Sequence, residues 1–285
     1  MINGTRYRLT MQVNQQIALS REIARTQTEI STGKRILAPS DDPSAAARIS
    51  SIARSQANDN VFKSNLNLAT ALSARADTAL KSVGIALDRA SELMIEGANG
   101  TLSDNDRAAI TLELRSIAED IGALKSSKDA RGGPLFMSGG SLRIPVASGI
   151  SIEAVGTRED VFESVPTSGG PQEIAAIVSA AADALALTDP VARAAALATS
   201  ADNVNAAIEH VATARGEQGA LGARIDQLGE RQADSALQLG EERTDLESTD
   251  VTAAIAMIQS KQLTLQAAQA IFARVNSSTL FDILR

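Results

Sequence analysis

Cysteine and tryptophan are absent from this 285-residue sequence, and tyrosine and histidine occur once each. Without cysteine, the chain cannot form disulfides, thiol nucleophiles or sulfur-ligated metal sites. Aromatic residues make up 2% of the chain, so a large isotropic core is not expected. The apolar residues are instead Ala, Leu, Ile and Val, which suit helices packed side by side at short distance.

A basic region and a long apolar run are also missing. The net charge is −7, which would repel duplex nucleic acid, so we expect no nucleic-acid partner. No apolar stretch reaches the ~18 residues needed to cross a bilayer, so no membrane insertion is expected. The N-terminal residues lack the apolar segment of a cleavable secretory signal, so an extracellular protein would need another export route.

A helix lying on the membrane surface is a less favoured alternative for the N-terminal segment. Its apolar face is thin and carries no Trp or Phe anchor. The basic residues that keep this alternative open are Arg6, Arg8, Arg21 and Arg25.

Both ends of the chain show the spacing of amphipathic helices. Near the start, aliphatic residues recur among polar ones at Val13, Ile17, Ile23 and Ile30. Near the end, apolar residues follow the three- and four-residue steps of a coiled-coil seam at Val251, Ala254, Ile258, Leu265, Ala268, Phe272 and Val275. Because neither segment has a core of its own, we predict that the two helices pack on each other. We also predict that these residues form the seam through which neighbouring copies assemble.

Local signals place the first helix and the joint that follows it. The first helix is predicted at residues 6–32, ending at Gly33, which suits the left-handed position after a helix. Residues 34–43 are rich in turn formers. Within them, Asp42 is expected to cap the next helix and Pro43 to open it.

The second helix is predicted to be unusually long, from residue 43 to about residue 98. Its heptad stripe is interrupted only at Ser73 and contains Phe62, Leu66, Ala69, Ala76, Leu80, Val83, Leu87, Ala90 and Met94. Asn99-Gly100 ends this helix, and Ser103 with Asp106 predicts a capping box for the next one. We expect this third helix to be an antiparallel partner of the long one.

The third helix is predicted to end near Asp129. Between residues 131 and 171, glycine pairs separate short apolar runs, which predicts a hairpin or small β-rich element. An Ala-rich helix is expected at about 172–187, and Pro190 opens another long helix. A bend near 248–250 precedes the terminal helix.

The predicted fold is mainly α: an elongated antiparallel helical rod with paired N- and C-terminal coiled-coil helices and a small β-containing insertion in the middle. The predicted base domain combines residues 1–41 with 249–285. The rod domain combines 42–131 with 188–248, and residues 132–187 form a small outer β/α insertion.

No pattern in the sequence predicts catalytic, cofactor-binding or metal-binding residues, so we do not expect an enzyme. His210 lies among apolar helical positions and is expected on a helix surface. Gly33-Lys34 fails as a phosphate loop, because Thr28 replaces the first glycine and Arg35 follows the lysine. Four carboxylates sit where helices begin, which favours capping over cation binding: Asp41, Asp42, Asp104 and Asp106.

Three of these segments resemble the bacterial flagellin family. EISTGKRILAPSDDP at 29–43 is similar to the joint after the first helix in flagellins and their relatives. NGTLSDNDR at 99–107 resembles the turn between two N-terminal rod helices, and RGEQGALGARI at 215–225 resembles the C-terminal rod segment. With the terminal helices, the resemblance covers about three quarters of the chain in the expected order.

Within the family, two further segments resemble those of the subunit at the hook–filament junction. They are the ending STLFDILR at 278–285 and the aromatic-plus-glycine run GPLFMSGG at 133–140. The alternative is flagellin, the main filament subunit. A non-flagellar secreted helical effector is a third and less favoured class.

The resemblance implies a structural protein of the extracellular flagellum, exported without a cleavable signal peptide. The implied partners are other copies of the chain in a ring or helical layer, a neighbouring hook-associated protein and flagellin. It also implies an export chaperone that covers the C-terminal helix. No cofactor is implied.

Overall fold

The computed structural model describes the backbone of residues 2–281 and the side chains of residues 7–274. Its elements in chain order are α1 (Ile2–Thr32), α2 (Pro43–Gly97), α3 (Asp104–Lys125), β1 (Arg143–Ala147), β2 (Ile150–Glu153), β3 (Val165–Thr167), β4 (Gly170–Gln172), α4 (Ile174–Leu185), α5 (Pro190–Glu247) and α6 (Val251–Phe281). A π-helical turn, Glu159–Glu163, lies between β2 and β3. The predicted fold class, mainly helical with a small β-containing insertion, is confirmed.

The joint after α1 has the predicted local structure. Gly33 takes a φ of 67°, a left-handed conformation that glycine adopts without steric cost. α2 begins at Pro43. Asp42 Oδ1 accepts the backbone N–H of Ala45 at 3.0 Å, so this side chain caps α2 as expected.

α3 begins with the predicted capping box but ends earlier than predicted. Ser103 Oγ accepts the Asp106 N–H at 3.2 Å, and Asp106 Oδ2 accepts the Ser103 N–H at 3.3 Å. The helix ends at Lys125, so the prediction of an end near Asp129 is wrong. Asp129 instead closes a turn, because its Oδ1 accepts the N–H of Gly133 at 2.8 Å.

The insertion contains two separate antiparallel hairpins, β1–β2 and β3–β4. Ile144 lies opposite Ile152 in the first, and both side chains are buried. Pro145 and Ser151, the next residues on each strand, are exposed, which is the period-two alternation of a half-buried hairpin.

The chain divides into two compact units. The first combines Met1–Ala57 with Ser235–Arg285, and the second is Asn58–Asp234. The second unit has one continuous apolar core, to which α2, α3, α4, α5 and both hairpins contribute. The division into three domains predicted from the sequence stays a prediction.

Ion pairs show how the helices of the second unit are oriented. Arg115 lies 3.0 Å from Asp183, and Lys125 lies 2.6 Å from Glu173. A step of ten residues forward along α3 thus corresponds to ten residues back towards the start of α4, so the two run antiparallel. An ion pair at 2.8 Å joins Arg89 of α2 to Glu113 of α3 across the intervening turn, as in the predicted helical hairpin.

The one polar position in the α2 stripe has a specific partner. Ser73 is buried, and its Oγ accepts a hydrogen bond from Gln218 Nε2 at 2.8 Å. The same Gln218 amide donates to the carbonyl of Ala154 at 2.8 Å. Gln218 therefore ties α5 to α2 and to the end of the first hairpin.

Candidate assembly interface

The terminal helices α1 and α6 pack against each other in the first unit, as predicted. Lys261 Nζ lies 2.8 Å from Glu22 Oε2. Further from the joint, Gln15 of α1 and Ala268 of α6 line the same groove. Moving back along α1 from Glu22 to Gln15 therefore corresponds to moving forward along α6 from Lys261 to Ala268, which is an antiparallel register.

Reduced exposure recurs at three- and four-residue steps along both helices and marks their contact stripe. On α6 the less exposed positions are Ala254, Ile258, Lys261, Leu265, Ala268 and Phe272. On α1 they include Gln12, Gln16, Leu19, Ile23, Thr26 and Ile30. Seven of the predicted seam residues thus belong to the stripe: Ile23, Ile30, Ala254, Ile258, Leu265, Ala268 and Phe272.

Polar residues in this stripe are absent from the predicted seam. Gln12, Gln16 and Thr26 occupy contact positions on α1, and Lys261 does so on α6. A search for apolar side chains alone does not find them. The signal that could have done so is the shared step of three and four residues from Leu19, Ile23 and their neighbours.

Three predicted seam residues lie outside the contact stripe. The exposed fractions of Val13, Ile17 and Val251 are 38%, 43% and 44%. The Val275 side chain lies outside the described residues. The exposed apolar residues of the pair, called here the outer apolar set, are Tyr7, Leu9, Met11, Val13, Ile17, Val251, Ile255, Met257, Leu263 and Ile271.

The pairing of α1 with α6 buries little apolar surface in a single chain. Among the described residues of the first unit, the buried apolar side chains are Ile23, Ala45, Ile52 and Ala254. Only Ile23 and Ala254 belong to the pair. A groove of about 360 Å³ lies between the two helices and is lined by Gln12, Gln15, Gln16, Leu19, Thr264, Leu265, Ala268 and Ile271.

The joint between α1 and α2 is tied to the bend between α5 and α6. The Thr249 N–H donates to the Gly33 carbonyl at 3.1 Å, and the Arg35 N–H donates to the Glu247 carbonyl at 2.7 Å. Lys34 Nζ lies 3.0 Å from Glu247 Oε2. These contacts hold the chain segments that enter both terminal helices side by side.

Two carboxylates stabilise the joint electrostatically. Asp41 Oδ2 accepts the N–H groups of Ala38 at 2.9 Å and Leu37 at 3.0 Å, and these bonds, with the nearby Arg25, lower the Asp41 pKa. At Glu247, desolvation raises the pKa. The hydrogen bonds from Arg243 and Lys34 outweigh it, and the Glu247 pKa is lower than usual.

The described residues offer packing surfaces and no cluster for metal chemistry. Within them, no group of His, Asp and Glu side chains gathers in a way that could hold a metal ion. His210 Nε2 lies 2.9 Å from the Asp160 carbonyl oxygen, a contact between α5 and the π-helical turn. In the same part of the chain, no helix combines the length and the apolarity needed to cross a membrane.

Comparisons with known proteins fit this arrangement. Residues 5–136 match the bacterial flagellin N-terminal helical region. The chain is 26% identical to flagellar hook-associated protein 3 of Escherichia coli (strain K12) over 90% of both chains. To flagellin of Listeria monocytogenes it is 27% identical, over 35% of this chain and 34% of that one.

Solved structures show the same fold. A flagellar hook-associated protein 3 of Legionella pneumophila superposes with a TM-score of 0.64 at 13% identity, covering 70% of this chain and 98% of that one. The flagellar junction protein FlgL of Legionella pneumophila superposes with a TM-score of 0.57 at 13% identity, covering 70% and 100%. The resemblance to the flagellin family is therefore confirmed, and over most of its length the chain is similar to hook-associated protein 3.

Proposed function

We propose that this protein is a structural subunit of the bacterial flagellum that forms the junction between hook and filament. The structural observation that carries the proposal is the pair of terminal helices, which buries few side chains and leaves the outer apolar set exposed. Similarity to hook-associated protein 3 over 90% of both chains supports the junction, whereas similarity to flagellin covers 35% of this chain.

Packing among neighbouring copies is the physical basis of this role. Ordering a residue costs about 1–2 kcal/mol in backbone entropy, which two helices that bury little surface do not offset alone. Neighbouring copies in a ring or helical layer would cover the outer apolar set and fill the groove between α1 and α6. The terminal helices then gain the burial that a single chain does not provide.

The predicted partners follow from this role. On one side the layer contacts a neighbouring hook-associated protein, and on the other it contacts flagellin. Before assembly, an export chaperone covers α6, whose exposed residues Ile255, Leu263 and Ile271 would otherwise favour aggregation. Export proceeds through the flagellum's own channel and places the subunit outside the cell.

Removal of the gene from its host tests the proposal. We expect cells with bare hooks that do not swim and that release flagellin into the medium. Cells that keep normal filaments and motility would contradict a flagellar role and favour the secreted effector.

Copy number separates the junction subunit from the filament subunit. Quantitative mass spectrometry of sheared flagella should find this chain in amounts that suit one short layer, far below those of the filament protein. If the chain is instead the most abundant protein of the filament, it is the flagellin of its host.

A further inference from the structure

We propose that Asn99-Gly100, in the turn between α2 and α3, is a site of spontaneous deamidation through a cyclic imide. The reaction needs a side-chain amide beside a following backbone nitrogen that is free to attack it. Both residues are exposed to solvent, and neither belongs to a helix. The turn is therefore open to water and is not held in a helix, as this reaction requires.

The side-chain carbonyl of Asn99 is held and polarised by two donors. Asn99 Oδ1 accepts the backbone N–H of Thr101 at 3.1 Å and the Thr101 hydroxyl at 2.9 Å. These bonds fix the carboxamide beside the peptide that follows it. They also stabilise the negative charge that develops on Oδ1 when its carbon is attacked, as an oxyanion hole does.

The attacking nitrogen of Gly100 is unhindered. Among the described residues, the Gly100 N–H donates no backbone hydrogen bond to another residue. Glycine has no side chain to obstruct the approach to Asn99. A Cβ at Gly100 would meet no atom within 4 Å, so the fold leaves room for an alanine at this position.

The reaction needs only water. The Gly100 nitrogen loses its proton and bonds to Asn99 Cγ, the Cγ–Nδ2 bond breaks, and the side-chain nitrogen leaves with protons as ammonia. Water then adds to either carbonyl of the five-membered imide. One product is aspartate at position 99. In the other, an isoaspartyl residue, the main chain runs through the former side chain.

The two products differ in how well the turn accommodates them. An aspartate keeps both hydrogen bonds from Thr101, now made to a charged acceptor. An isoaspartyl residue adds a methylene group to the main chain, displacing the Asn99 carbonyl that accepts the Leu102 N–H at 3.3 Å. The isoaspartyl form therefore loosens the α2–α3 hairpin, whereas the aspartyl form does not.

Peptide mapping of the full-length protein tests the proposal. The protein is held in mildly alkaline buffer, and the tryptic peptide 90–107 is followed by chromatography and mass spectrometry with fragmentation. We expect progressive loss of the amide at Asn99, with two products of identical mass, one of which accepts a methyl group from isoaspartyl methyltransferase. The other Asn-Gly pair, Asn3-Gly4, falls in a separate peptide.

Two matched variants provide results that could contradict the proposal. Gly100→Ala has no steric conflict in the fold and should slow the reaction at position 99 by roughly tenfold, equivalent to about 1.4 kcal/mol of activation free energy. Thr101→Val removes the hydroxyl donor and should slow it severalfold. An unmodified Asn99 in the parent protein, or equal rates in the parent and Gly100→Ala, would overturn the proposal. An Asn99→Asp control should melt as the parent does.

Discussion

Lys34 and Glu247, which are far apart in the sequence, form an ion pair in which Nζ and Oε2 lie 3.0 Å apart. Glu247 also receives a hydrogen bond from Arg243 Nε at 2.8 Å. One carboxylate thus joins the α1–α2 joint to the end of α5. The first unit depends on such polar contacts because it buries few apolar side chains.

Glu247→Gln should loosen the joint, because it removes the charge that Lys34 and Arg243 share. We expect the free energy of unfolding to fall by on the order of 1 kcal/mol or less, because the ion pair is partly exposed. Hydrogen exchange over residues 33–42 should become faster. Glu241→Gln, at an exposed neighbouring position, is the control, and equal exchange in the two variants would contradict the role of Glu247.

Acid should destabilise the joint through Asp41. Its pKa is lowered in the folded state, so the folded protein binds this proton more weakly than the unfolded chain does. The stabilisation is therefore present above the usual carboxyl pKa of about 4 and is lost as the pH falls through the lower folded value. Thermal melts at several pH values should show that the melting temperature falls more steeply with decreasing pH in the parent than in Asp41→Asn. Parallel curves would show that Asp41 does not contribute.

Protease should trim the purified monomer at both ends. α1 and α6 bury few side chains, so they should open at low free energy, leaving a resistant fragment of about Asp42–Ser248. Mass spectrometry of the limit digest identifies its ends. A fragment protected from residue 1 onward would contradict folding on assembly.

Phe272→Asp should block assembly without unfolding the second unit. Phe272 belongs to the α6 contact stripe and is the largest apolar side chain of the predicted seam. Loss of such a side chain in an assembled core costs ~3–5 kcal/mol. We expect unchanged helicity and melting of the second unit, bare hooks and flagellin in the medium. Gln266→Asp, on an exposed position of α6, is the control.

Two results would contradict the assembly role of Phe272. Normal filaments and swimming in Phe272→Asp cells would show that the position is not part of the seam. Global unfolding of the monomer would show that α6 belongs to an internal core of the single chain.

Gln218→Ala should destabilise the second unit. It removes both hydrogen bonds of the buried amide and leaves the Ala154 carbonyl without its donor, at a cost of about 1–3 kcal/mol. Chemical denaturation measures this change. The exposed Gln227→Ala should cost far less, and equal losses in the two variants would contradict the role of Gln218.

Local chemistry explains why the sequence predicted most helix boundaries. The left-handed conformation at Gly33, the cap of Asp42 before Pro43 and the box of Ser103 with Asp106 each depend on residues within one helical turn. The end of α3 was mispredicted because no glycine or proline between Lys125 and Asp129 marks the end of the helix. A turn closed by the Asp129 side chain follows the helix. Both this turn and a longer helix would be stabilised by residues only a few positions apart, so the sequence did not separate them.

The sequence by itself determined the helical class and the order of the elements, because propensity, capping and periodicity are properties of neighbouring residues. Its motifs also showed the resemblance to flagellins. The tertiary structure decided which side of α1 meets α6. Val13 and Ile17 are more apolar than Gln12 and Gln16, yet the glutamines lie in the contact stripe. The rotation of a helix is set by its partner, here through the antiparallel backbone hydrogen bonds between Gly33–Arg35 and Glu247–Thr249. No residue of α1 encodes that rotation alone.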